Sequence, residues 1–125
     1  MIINNTAIDG VLELVRSPVQ DDRGLFERFY CQDLLQANLN SRPITQINHS
    51  LTSEKGAVRG MHLQLGESAE YKIISCSSGE VCDFAVDLRR NSKTFLKWCC
   101  IILSPKKYNS FLIPPGVAHG FQCLE

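Results

Sequence analysis

An all-β chain, folded as an antiparallel sandwich or barrel, is the class that these 125 residues predict. Three observations carry the prediction. Short runs rich in β-branched and aromatic residues recur after Pro43, the connectors between them are built from turn residues, and only one stretch has helical spacing.

Taken in order, residues 1–15 place Val11, Leu12 and Leu14 between turn residues, which suits an opening strand or two. Gln20-Asp-Asp-Arg-Gly24 is a polar turn closed by glycine. It leads into residues 25–30, whose three aromatics favour a strand and put Arg23 at its mouth. Residues 32–40 set Leu34, Leu35 and Leu39 among good helix formers and stop short of Pro43, so this is the one expected helix. Strands are then expected over 44–50, 58–63, 71–76, 81–88, 95–103 and 110–113. They are separated by Ser53-Glu-Lys-Gly56, Leu65-Gly-Glu-Ser68, Ser77-Ser-Gly79, Arg89-Arg-Asn-Ser92 and Ser104-Pro-Lys-Lys107.

Size allows a single domain over 1–125. Lysine plus arginine equals aspartate plus glutamate at 13 each, so no overall field recruits nucleic acid or an anionic membrane, and an anionic ligand needs a local cluster. The six cysteines (31, 76, 82, 99, 100 and 123) lie mostly in apolar runs without Cys-x-x-Cys spacing, which reads as buried free thiols in a reducing cytosol. The longest apolar run, 98–103, is far below the ~20 residues that span a bilayer, and no charged-then-apolar leader opens the chain. A soluble, cytoplasmic protein is expected.

Period two sorts the polar side chains by face: Gln46 with Asn48, His62 with Gln64, Lys72 with Ile74 and Cys76. Strict alternation sets Arg59 opposite His62, so the two share a cavity only if Gly60 breaks the register. His62, in an apolar strand, is expected to be buried and therefore either satisfied or functional; both readings stand. Lys72 is either a snorkelling strand-edge lysine or, if it enters a cavity, a group able to steady an enolate or a phosphate. The prolines and glycine of Ile-Pro-Pro-Gly-Val-Ala-His-Gly-Phe (113–121) make a turn onto a strand; His119 within it has no such account.

A metal site finds little support. The three histidines, 49, 62 and 119, include no His-x-His pair, and Gln64 stands where a second strand ligand would be. Asp83 and Asp87 share a strand face as a possible carboxylate pair, or Asp83 hydrogen-bonds locally. Asp21/Asp22, Arg89/Arg90 and Lys106/Lys107 read as solvated turn charges. A phosphate-binding glycine loop, a Gly-x-Ser-x-Gly elbow and a basic-aromatic nucleic-acid signature are all missing.

Six blocks, in order, resemble one family: Asp-Asp-Arg-Gly (21–24), Gln-Ile-Asn-His-Ser (46–50), Val-Arg-Gly-Met-His-Leu-Gln (58–64) with Lys72, Gly-Glu-Val-Cys-Asp-Phe-Ala-Val-Asp-Leu-Arg (79–89), Ser-Lys-Thr-Phe (92–95) with Trp98, and residues 113–121. They are similar to the dTDP-4-dehydrorhamnose 3,5-epimerases over nearly the whole chain. The resemblance implies a cupin-type double-sheet antiparallel barrel (jelly roll) with one short N-terminal helix, a homodimer, no cofactor or metal, and a nucleoside-diphosphate 4-keto-6-deoxyhexose as substrate. It implies that His62 is the base that removes a proton α to the ketone and that Lys72 steadies the enolate, with reprotonation on the opposite face at C3, C5 or both. Arg23, Gln46, Asn48 and Arg59 would hold the diphosphate and sugar, and His119 would line the pocket.

The chain departs from the family pattern at two points. Arg28 stands where members commonly carry glutamate, with Glu27 one residue earlier, which bears on nucleotide contact. The family's tyrosine acid and the aspartate that orients its histidine fall on strands past Glu125, and Tyr30, Tyr71 and Tyr108 do not match that acid. A chain lacking the family's C-terminal strands is therefore expected, with 120–125 as a strand left with an unpaired edge. The alternative function is a non-catalytic cupin that binds a sugar nucleotide or carbohydrate.

Overall fold

The computed structural model describes residues 1–125. Ten strands and one short helix follow the chain: β1 (Ile2–Asn5), β2 (Leu12–Val15), β3 (Val19–Asp21), β4 (Gly24–Phe26), α1 (Gln32–Leu35), β5 (Val58–His62), β6 (Lys72–Ser75), β7 (Val81–Asp87), β8 (Trp98–Leu103), β9 (Asn109–Ile113) and β10 (Val117–Cys123). They form two four-stranded antiparallel sheets, ordered β1-β2-β9-β6 and β5-β10-β7-β8, and a separate β3-β4 hairpin. No helix is long and apolar enough to cross a membrane.

Consecutive strands change sheet late in the chain, and that is what closes the sandwich. The turn after β9 contains Pro114, Pro115 and Gly116; Val117 N–H donates to the Pro114 carbonyl at 3.3 Å and Gly116 has φ +84°, so the chain reverses into the opposite sheet as β10. Between the sheets lie Val11, Ala85, Leu103, Phe111, Ile113 and Val117, with Ile74, Val81, Cys99 and Ile101 against them. A second apolar cluster covers the outside of the first sheet, where Leu12, Leu14 and Leu112 meet Leu35 and Leu39. On β9, Phe111 and Ile113 enter the first cluster and Leu112 the second, and all five residues of the strand are buried. Burying one large aliphatic or aromatic side chain contributes about 1.5–3 kcal/mol, which makes these clusters the main support of the fold.

The expected strands over 58–63, 71–76, 81–88, 95–103 and 110–113 form with trimmed ends. Residues 44–50 do not form one. They run in irregular conformation with Ile47 84 % exposed, because an alternating run becomes a strand only where a sheet edge accepts its ladder. The helix over 32–40 holds regular form only to Leu35. Cys31 supplies no side-chain cap, and Asn40 and Ser41 take positive φ, which ends the turn. The strand expected over 25–30 stops at Phe26.

The last strand also differs from expectation. β10 is paired on both edges, with β7 from Val117 to Cys123 and with β5 from His119 to Gln122, so it is central and leaves no open edge. All six cysteines are free thiols, but only Cys123 is buried, and Cys100 is exposed.

Candidate functional site

The site begins where β5 meets β10. In that ladder His62 pairs with His119 and Arg59 with Phe121, and the register shifts between the two pairs. On the far side of β10, His119 pairs with Ala85 and Phe121 with Asp83. Directly paired residues share a face, so the shift sets Arg59, His62, His119, Asp83 and Ala85 all on the inner side of this sheet. Gly60 is what permits it: φ is +108°, and a Cβ there would lie 2.7 Å from Gly120 Cα and 2.9 Å from the His119 carbonyl oxygen.

The two imidazoles face each other at 5.9 Å between centroids, tilted by 55°. They differ in surroundings. The whole of β5 is exposed, His62 included, which corrects the expectation of a buried ring there; it is His119 that is buried, at 8 % exposure. Behind His119, its Nδ1 lies 3.3 Å from Asp83 Oδ1, and Asp83 is completely buried. Burial pushes the Asp83 carboxyl above its ordinary range, against the opposing pull of His119.

Lys72 lies on β6 of the other sheet, opposite Ile113, with its ammonium 3.8 Å from Glu70. Together with Gln46, Asn48, Gln64 and Tyr71 it lines a cavity of about 710 Å³, a volume within the usual range for small-molecule sites. Gln46 Nε2 donates to Asn48 Oδ1 at 3.1 Å, so the two polar side chains expected to work together do meet, although their backbone is not a strand. Gln64 ties the cavity to the histidines, since it follows His62 by two residues.

Two expected residues stand apart. Arg59 shares the inner face by register, but its guanidinium is engaged elsewhere, with Nε donating to Thr52 Oγ1 at 2.9 Å and Nη2 to the Leu51 carbonyl at 3.1 Å, which fastens β5 to the segment that carries Gln46 and Asn48. Arg23 sits on the β3–β4 turn with its side chain 90 % exposed, held only by Asp21 at 2.6 Å, and it borders neither the cavity nor the histidines. Asp83 and Asp87 share the inner face without forming a pair. Asp87 instead accepts from Arg89 Nε at 2.8 Å, Ser92 Oγ at 2.6 Å and Thr94 Oγ1 at 2.6 Å, and despite the burial penalty these bonds hold its carboxyl well below the usual carboxylate range. The Asp83 contact to His119 is the one that sequence reading missed; the sequence marks Asp83 only as a carboxylate in phase with Ala85 and Asp87 on β7 and says nothing of its partner. No group of three His, Cys, Asp or Glu side chains converges as a metal site would require.

A double-sheet barrel with two facing imidazoles on one sheet and a cavity of small-molecule size walled by the other is the cupin-type architecture of a small-molecule enzyme. The chain belongs to the dTDP-4-dehydrorhamnose 3,5-epimerase family, whose pattern it matches over residues 5–125. The Salmonella typhimurium dTDP-4-dehydrorhamnose 3,5-epimerase is 43 % identical over 127 aligned positions, covering 100 % of this chain and 68 % of that protein. Among solved structures, an epimerase from Mycobacterium tuberculosis superposes with a TM-score of 0.93 at 30 % identity, over 100 % of this chain and 62 % of the other. A Legionella pneumophila 3,5-epimerase in complex with dTDP-4-keto-L-rhamnose gives 0.83 at 35 % identity, over 99 % and 65 %.

Proposed function

We propose that residues 1–125 form one epimerase domain that inverts C3, C5 or both in a nucleoside-diphosphate 4-keto-6-deoxyhexose, of the kind bound by the Legionella relative. The observation that carries the reading is the exposed His62 ring set 5.9 Å from His119, with Gln64, two residues further on, lining the cavity that also holds Lys72. His62 takes the proton α to the C4 ketone, and the Lys72 ammonium stabilises the enolate oxygen as charge moves onto it. A proton returned to the opposite face completes the inversion. Gln46 and Asn48 bind sugar or diphosphate oxygens from the cavity wall, and His119 contacts the sugar from beside His62.

Arg23 and Arg59 grip the diphosphate, and a second copy of the chain supplies the route for Arg23. The β3–β4 hairpin projects as a two-stranded unit with Phe26 74 % exposed, a form suited to reaching a partner in a homodimer. The setting is the cytoplasm, where sugar nucleotides and reduced thiols coexist.

The test is incubation with the 4-keto sugar nucleotide in deuterium oxide. Deuterium is expected at C3 or C5 with the wild-type protein and not with His62→Ala. Binding of nucleoside diphosphate without any exchange overturns the catalytic reading in favour of a carbohydrate-binding cupin.

A further inference from the structure

The reaction just described leaves one buried group without a task. Asp83 is fully buried on β7, with Oδ1 on His119 Nδ1 at 3.3 Å and Oδ2 without any partner. Its neighbours along the same face and across the ladder, Val81, Ala85 and Ile101, are apolar and pack into the core. A carboxyl set among such residues is unfavourable unless its hydrogen bond is used, and an apolar residue would fill the place better if packing alone were needed.

We propose that Asp83 is a positioning residue of the site: it accepts the Nδ1–H of His119, fixes that tautomer, and turns an unprotonated Nε2 toward the hexose beside His62. The proposal rests on the epimerase reading for the ligand it names. A neutral imidazole carries a single N–H, and the hydrogen bond made by one nitrogen decides the state of the other. β10 lies between β7 and β5, so a ring whose Nδ1 is bonded toward Asp83 presents its opposite edge to the side from which His62 approaches. There Nε2 accepts a hydrogen bond from a sugar hydroxyl. The other tautomer would present an N–H at that point and leave Asp83 with no donor at either oxygen.

The alignment also explains why both histidines are held by β10 ladders rather than by a loop. His62, His119 and Asp83 stand on three adjacent strands, so their order across the sheet is fixed by backbone pairing. A site on regular elements holds its geometry better than one on loops.

The experiment is nitrogen-15 NMR of histidine-labelled protein, with His119 assigned by the signal that His119→Gln removes. In the wild type, His119 is expected as the Nδ1–H tautomer with a bare Nε2. In Asp83→Ala it is expected to change to Nε2–H, with kcat for solvent exchange falling about 10²-fold and KM little changed. A wild-type ring protonated at Nε2, or an Asp83→Ala variant that keeps wild-type kcat, overturns the proposal. If Asp83→Ala does not fold, the wild-type tautomer alone decides it. Absence of exchange in the wild type overturns the epimerase reading, and is told apart because the tautomer is read without substrate.

Discussion

Gly60 and Gly120 face one another across β5 and β10 so closely that a Cβ on Gly120 would stand 2.7 Å from the Arg59 carbonyl oxygen and 3.2 Å from Gly60 Cα. Two backbones in contact hold the strand that carries His62 against the strand that carries His119. Gly120→Ala is expected to force them apart, destabilising the protein by about 1–3 kcal/mol. Thermal melting should register the loss, and deuterium exchange should fall further than the melting shift explains, because the 5.9 Å approach of the rings is disturbed as well.

Lys72→Met separates chemistry from folding. The ammonium is 3.8 Å from a half-exposed Glu70, and such a pair contributes little to stability. The melting temperature should stay near wild type while kcat for exchange drops about 10²- to 10³-fold, the usual cost of losing one donor to a developing oxyanion. Unchanged exchange would remove Lys72 from the reaction.

The two buried aspartates should pull stability in opposite directions with pH. Asp87 is held below its unfolded value near 3.9, so its contribution is fully present above about pH 4 and fades as pH falls toward the folded pKa. Asp87→Asn should therefore cost stability at pH 7, about 3 kcal/mol given the Arg89, Ser92 and Thr94 donors left behind, and cost less in acid. Asp83 is raised, so its protonated form favours the fold at low pH and that advantage fades as pH rises through the folded pKa. Relative to wild type, Asp83→Asn should gain stability between pH 4 and pH 7. Urea denaturation of both variants across that range checks the two signs.

The thiols should react in a set order. Cys100 is exposed, whereas burial pushes the Cys82 thiol up to about 11, with Cys100 close by adding to the rise. At pH 8 Cys82 is then thiolate in roughly one part per thousand. Iodoacetamide labelling followed by peptide mass spectrometry should find Cys100 modified well before Cys82 or Cys123.

Much of this was readable from spacing. Alternation and turn chemistry located strands such as Val81–Asp87 and Trp98–Leu103, since each has a ladder waiting on at least one side. Residues 44–50 carry the same local pattern and fail for a non-local reason, since no strand takes them as a ladder partner, which no window of sequence reports. Gly60 was legible as the residue that re-aims Arg59 and His62, because glycine in a strand needs a cause. The Asp83 to His119 contact was not, since it joins positions 36 residues apart whose meeting depends on which strands adjoin β10. Family likeness ordered the candidate residues, but only coordinates sorted them into a histidine end, a cavity wall and an outlying arginine.

The double pairing of β10 has a consequence for motion. Amides in a strand flanked on both sides are shielded from solvent by both neighbours, so the His119 backbone should be among the slowest to trade its hydrogen for deuterium. Gln46 and Asn48 ride on a segment that belongs to no ladder. The strand that carries His119 is thus as durable as the whole fold, while the segment that carries Gln46 and Asn48 has no ladder to hold its shape.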